Sequence, residues 1–249
     1  MTCDARRFPS LFLVGTSHRD PNGLRRCRRL LRALNPQVIL VEVSPFAVRF
    51  RLKHGRFLLK LLLQNLHKAT AMTRIPVALA LRSPFIQPIL RQCTLPFEYR
   101  AAFQRFREIG TPLFCVDTGE ASRLFVADWP EMLSSENLAR LLTSSLPSPL
   151  SAADEYALAR RALTQAKPGA QRRHWNEDFT LRQQREAWLE KTVRATLERL
   201  QPSPLVYLGG WRHVVPDAGQ SLYDRLCDLN PCPLLLDQAD EGPRNDFNP

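Results

Sequence analysis

Lysine is scarce in this chain of 249 residues. Of its 35 basic residues only five, Lys53, Lys60, Lys68, Lys167 and Lys191, are lysine, and arginine supplies the rest. Metal-binding cysteine pairs are missing as well. Cys3, Cys27, Cys93, Cys115, Cys227 and Cys232 include no CxxC and match no zinc template, so they read as buried or incidental thiols in a reducing compartment. The most apolar stretch, around Phe57–Leu66, is interrupted by Lys60, Gln64 and Asn65, which argues against a membrane span. Asp4, Arg6 and Arg7 precede an apolar run that breaks at Gly15, too short for a secretory signal. The expectation is a cytoplasmic protein. There is no GxSxG elbow, no GxxxxGK[ST] loop and no HExxH helix, so serine hydrolase, P-loop and zincin readings lack a motif.

What is present is an ordinary globular composition, 44% hydrophobic and 24% charged, with a net charge of +11. The length suits one large domain or two small ones, and the chain is read as one domain over 1–237 with a polar tail over 238–249. A basic balance can signal nucleic acid. The arginines are scattered, however, apart from Arg25, Arg26, Arg28, Arg29 and Arg32, and no run alternates with aromatics as a stacking platform requires. Specific nucleic-acid binding is not expected.

Apolar strands are expected at Leu11–Val14, Val38–Val43, Pro112–Asp117, Leu205–Gly209 and Pro233–Leu236. Helices are expected at Leu24–Leu34, Arg51 to about His67, Phe97–Ile109, Asp178–Leu200 and Ser221–Leu226. The proline-bearing stretch up to Pro96 reads as two short helices, and Leu124–Ala170 as short helices broken by the Thr143–Ser151 loop. Alternating strands and helices predict an α/β fold, with a mixed or mostly parallel sheet flanked by helices and a helical insertion.

Two segments share one pattern: an apolar strand, a glycine, and a histidine soon after. Gly15-Thr16-Ser17-His18 follows the first strand, and Gly209-Gly210-Trp211-Arg212-His213 follows the fourth. The C-terminal ends of parallel strands are where α/β folds place ligands. His18 reads as a metal ligand or general base, or as a turn histidine bonded to local backbone. Glu42 interrupts the apolar run VILVEV, where a buried carboxylate needs a cation, in the form of a metal or an arginine. Asp117 ends the third strand. Glu98 and Arg100 open a helix, where Glu98 also suits the helix dipole. Arg185 and Glu186, taken alone, read as solvated surface of a long helix. His54, His67 and His174 have no supporting context.

In order, these segments resemble the TraB family, which includes PrgY and is distantly related to GumN and the Tiki proteases. Gly15-Thr16-Ser17-His18 is similar to the family's opening GT-x-H. Asn35 through Glu42 is similar to its P-D-V-x-x-V-E-L strand, and Phe97 through Ala102 to its G-x-E-[FM]-R-A-A helix. Gly110 through Asp117 resembles the glycine, apolar strand and aspartate that follow. Gln184-Arg185-Glu186 resembles its E-R-D, and Gly209 through Val214 its closing G-x-G-H-V. Departures are Thr118-Gly119 after Asp117, Gln184 and Glu186 within the E-R-D segment, and bulky Trp211-Arg212.

The resemblance implies a metal-dependent hydrolase acting on peptides. His18, Glu42 and His213 would bind Mn, Co or Zn or position water. Arg100 and Arg185 would bind a substrate carboxylate or stabilise developing negative charge. Gly15, Glu98, Asp117 and Gly210 would support them. A metal-free version uses His18 as general base, oriented by Glu42. The alternative is a non-catalytic peptide-binding or signalling protein.

Overall fold

The alternation of strand and helix closes into one five-stranded sheet with every neighbouring pair parallel, in the order β3-β2-β4-β1-β5. The computed structural model describes residues 10–164 and 179–240. In chain order the elements are β1 (Leu11–Thr16), α1 (Gly23–Leu34), β2 (Val38–Val41), α2 (Pro45–Thr73), α3 (Val77–Arg82), α4 (Ile86–Gln92) and α5 (Phe97–Ile109). There follow β3 (Leu113–Cys115), α6 (Gly119–Ala127), α7 (Trp129–Met132), α8 (Ser135–Leu142), α9 (Ala152–Thr164) and α10 (Phe179–Leu200). The chain continues with β4 (Leu205–Gly210), α11 (Trp211–Val214), α12 (Leu222–Arg225) and β5 (Cys232–Leu235), and 3-10 turns span Cys227–Leu229 and Leu236–Asp240. Cys3, Asp4, Arg6, Arg7, Lys167 and His174 lie outside the described residues, as do the start of the helix expected from Asp178 and the tail beyond Asp240.

The chain divides into two compact units. The first takes in the chain up to Val43, Phe97–Asp117 and everything from Ser151. The second consists of Ser44–Pro96 and Thr118–Leu150. The helical insertion expected from the sequence is thus this second, two-piece unit.

In the first unit, alternate residues of each strand face opposite helical layers. Leu11 and Leu13 of β1, Leu40 of β2 and Tyr207 of β4 share a core with Leu189 and Val193 of α10 and with Leu222 and Leu226 around α12. Thr16, of the opposite parity on β1, reaches α5 instead, donating to Glu98 Oε1 at 2.7 Å. β1 and β2, consecutive in the chain, are not neighbours in the sheet. β4 lies between them and pairs with both. The turn after β4 therefore sits between those after β1 and β2. Gln238 to Asp240, the described part of the polar tail, are held: Gln238 Oε1 accepts from the Leu235 N–H at 2.8 Å, and Asp240 pairs with Arg26 at 2.6 Å.

The second unit has its own core of Leu58, Leu62 and Leu66 from α2 with Ala80, Ile86, Trp129, Leu133 and Leu138. α2 is longer than its leucine spacing suggests. Ser44 caps it by accepting from the Ala47 N–H at 3.0 Å, and Pro45 occupies the first turn, where a missing N–H costs nothing. The two short helices expected before Pro96 are α3 and α4. Gly55 lies inside α2 because the Cys93 carbonyl crosses it: a Cβ there would stand 2.7 Å from that oxygen. Replacing glycine by alanine in a helix ordinarily gains about 1 kcal/mol. Here Gly55→Ala is expected to lower the melting temperature in calorimetry, and a rise would contradict the close approach.

Candidate active site at the C-terminal edge of the sheet

Four strand ends deliver side chains to one edge. Glu42 follows β2, and its backbone N–H still donates to the Leu208 carbonyl at 2.9 Å. Its side chain is 3% exposed, and both oxygens are engaged. Oε1 accepts from Arg185 Nη2 and, at 3.0 Å, from His213 Nε2. Oε2 accepts from the Gly210 N–H at 2.6 Å and lies 3.3 Å from the Tyr207 hydroxyl. Of the two cations the sequence left open for Glu42, the arginine is present, as Arg185.

His213 is carried on α11, directly after β4. Its Nδ1 donates to Glu186 Oε1 at 2.6 Å, so both ring nitrogens face carboxylates. A ring that donates from both nitrogens is an imidazolium. Burial by itself pulls its pKa down, but Glu42 and Glu186 lift it to about 10. Glu42 responds in the opposite sense. Burial alone would raise its pKa, yet His213 and Arg185 hold it well below the usual carboxylate range.

His18 follows β1, and its Nδ1 donates to Glu98 Oε1 at 2.8 Å. Glu98 is therefore a buried partner and not merely a first-turn dipole acid. Its field and hydrogen bond outweigh the opposing effect of desolvation and lift the His18 pKa to about 9. The His18 side chain is 62% exposed, so it forms the solvent-facing side of the cluster, whereas His213 is its floor. The turn bearing His18 is clamped from α9. Ser17 Oγ is bonded to Glu155, the Ser17 N–H donates to the Tyr156 hydroxyl at 3.2 Å, and that hydroxyl donates to buried Asp20 at 3.1 Å.

The two histidines and Glu42 meet around Gly210. A Cβ on this glycine would stand 3.5 Å from His18 Nε2, 3.6 Å from Glu42 Oε2 and 3.7 Å from His213 Cδ2. All three are ordinary contacts, so Gly210 leaves a methyl-sized gap among the three groups. Gly209 is different, since a Cβ there would overlap the Tyr207 hydroxyl at 2.4 Å and Glu42 Oε2 at 2.5 Å. Gly15 lets the backbone of Trp211, the first residue of α11, approach β1 closely.

Arg185 is half-buried against the cluster, with its side chain turned to the carboxylates. It holds Asp117 through Nε and Nη2, both at 2.9 Å, as well as Glu42. Its Nε and Nη2 are engaged by two carboxylates, and through Nη2 it positions Glu42. Arg100 stands exposed on α5 and makes no hydrogen bond to the cluster.

Sequence reasoning missed Tyr207 and took Glu186 for surface, although Glu186 is fully buried. A signal for Glu186 exists: with Leu189 and Val193 it falls at i, i+3 and i+7, on the face that packs on the sheet. Nothing in the strand pattern distinguishes Tyr207 from a core tyrosine.

As the side chains stand, no group of three or more His, Cys, Asp or Glu among the described residues is spaced to hold a metal ion. The donor chemistry nevertheless suits a borderline divalent cation: two imidazoles, each held at Nδ1 by a buried glutamate, beside a carboxylate and a gap. Binding would have to open the His213–Glu42 bond and release the Nε2 protons of both histidines.

Two predictions follow from this geometry. Gly210→Ala is expected to leave the melting temperature nearly unchanged, whereas Gly209→Ala lowers it clearly; equal losses would contradict the gap. A raised histidine pKa contributes stability below the unfolded value of 6.5, and that contribution is lost as pH climbs through the folded value near 10. Chelator-treated protein should therefore lose stability between about pH 7 and pH 10, and Glu186→Gln should flatten that decline. A flat wild-type profile would contradict a doubly paired His213.

Compared with family models, with curated proteins and with solved structures, the chain finds no match.

Proposed function

We propose that this protein is a hydrolase acting on peptides, in the manner of the TraB-like proteins its motifs resemble, with His18, Glu42 and His213 holding a divalent cation. The observation that carries this reading is the meeting of the two histidines and Glu42 around Gly210, with each histidine backed by a buried glutamate. When bound, such a cation lowers the pKa of water and polarises a carbonyl.

The chain's own residues do the rest. Glu98 and Glu186 fix the two ring orientations and keep the Nδ1 protons in place. Arg185, anchored by Asp117, and the Gly210 N–H fix the carboxylate of Glu42. Tyr207 stays protonated, because burial and the neighbouring carboxylates push its pKa well above its ordinary value. His18 is reachable from solvent, on the side from which a ligand would enter.

The metal-free route, with His18 as general base, is served less well, because Glu98 keeps that ring protonated at neutral pH. The described cysteines are free thiols, and no described helix is long and apolar enough to cross a membrane. Both features are consistent with a cytoplasmic enzyme.

The test is a thermal-shift titration of chelator-treated protein with Mn, Co, Zn and Mg, run beside His18→Ala and His213→Ala, followed by peptide hydrolysis. A site filled to 100 times its Kd adds about 2.7 kcal/mol of stability. One metal is expected to stabilise the wild type and neither variant, and to switch on cleavage. Stabilisation by no metal would sink the metallohydrolase. Stabilisation by peptide without cleavage would favour the sequestering alternative.

A further inference from the structure

A second surface, on α2, takes no part in this site. From Ser44 to Pro96 the chain carries nine arginines and lysines and no aspartate or glutamate. Most of the protein's +11 charge therefore originates in one stretch of the second unit. Arg49, Lys53, Arg56 and Lys60 are all exposed, and their i, i+4, i+7, i+11 spacing aligns them as a ridge along α2. Among the described residues none of the four takes part in a hydrogen bond or ion pair. Large apolar side chains flank the ridge in solvent. Leu52 (65% exposed) and Leu63 (43%) lie on one side and Phe57 (64%) on the other. The opposite face of the helix is already used, since Leu58, Leu62 and Leu66 fill the unit's own core.

We propose that this face of α2 docks on the surface of an anionic lipid bilayer. The ridge would lie against lipid phosphates while Leu52, Phe57 and Leu63 enter the headgroup region. Two features select this occupant. An uninterrupted set of unpaired cations, with no acid over 53 residues, complements a surface of uniform negative sign better than a protein of mixed charge. The apolar flanks are mainly aliphatic, whereas a single-stranded nucleic acid calls for successive rings on which bases stack. Being 29 residues long, α2 would lie about 44 Å along the membrane plane, and its charges keep it from crossing. This inference stands whether or not the strand-end site hydrolyses peptides.

The experiment is co-sedimentation of the full chain with vesicles of phosphatidylcholine, alone or with about 30% phosphatidylserine, in about 0.1 M salt. Binding is expected to the anionic vesicles, at least about tenfold tighter than to neutral ones, and to weaken as salt rises. Lys53→Glu/Arg56→Glu/Lys60→Glu should lose roughly a hundredfold in affinity, and Leu52→Ser/Phe57→Ser about tenfold. Unchanged circular dichroism and melting temperature would show both variants folded, as these side chains are exposed. Equal binding to both vesicle types, or full binding by the charge-reversed variant, would overturn the proposal. So would a single-stranded oligonucleotide that strips the protein from vesicles at equimolar concentration. So too would a dimer that Leu52→Ser/Phe57→Ser dissolves without any change in vesicle binding.

Discussion

A carboxylate buried at the edge of a parallel sheet needs positive charge, and much of the first unit is organised around meeting that need for Glu42. Its side chain is almost sealed from water, where an unpaired charge is prohibitively costly. Arg185 comes from α10, His213 from the turn after β4, and the Gly210 N–H from the strand between. Each partner is then balanced in turn, Arg185 by Asp117 and His213 by Glu186. The result is a chain of alternating charges that ties β2, β3, β4, α10 and α11 together at one point. Removing one member strands its neighbour, which is why such clusters fix geometry more strictly than apolar packing does.

The two histidines are built alike but serve unlike positions. Each is mounted just beyond a strand and held at Nδ1 by a glutamate on the buried face of a helix. Glu98 shares that face of α5 with Ala101 and Ala102, and Glu186 its face of α10 with Leu189. The helices reach the two opposite parities of the sheet, as the contacts of Thr16 with Glu98 and of Leu11 with Leu189 indicate. His213 is sealed beneath while His18 stands toward solvent. An approaching ligand meets His18 first, with Glu42 and the floor histidine behind it. Central placement of β4 makes this possible, since it inserts the glycine pair between the turns of β1 and β2.

Much of this was legible in the sequence. Continuous apolar runs marked all five strands, and two of them lead into the glycine-to-histidine segments whose histidines meet Glu42 around Gly210. Glu42 was conspicuous because a charge in an apolar strand is rare enough to require a cause. Three things were not legible. The insertion of β4 between β1 and β2 depends on long-range pairing that no local pattern records. The burial of Glu186 was hidden because α10 is polar on most of its surface, and a single glutamate on its packed face does not disturb that impression. The pairing of Arg185 with Asp117 and Glu42 was hidden, because an isolated arginine gives no sign of its partners.

The central claim is that His18, Glu42 and His213 surround one cation site. Anomalous diffraction from crystals grown with manganese or zinc tests it most directly. The account predicts an anomalous peak beside Gly210 within bonding distance of both Nε2 atoms, about 2.0–2.2 Å for zinc, with the His213–Glu42 hydrogen bond opened to admit it. A cluster that stays closed at saturating metal, with His213 still bonded to Glu42 and no peak beside Gly210, would contradict it.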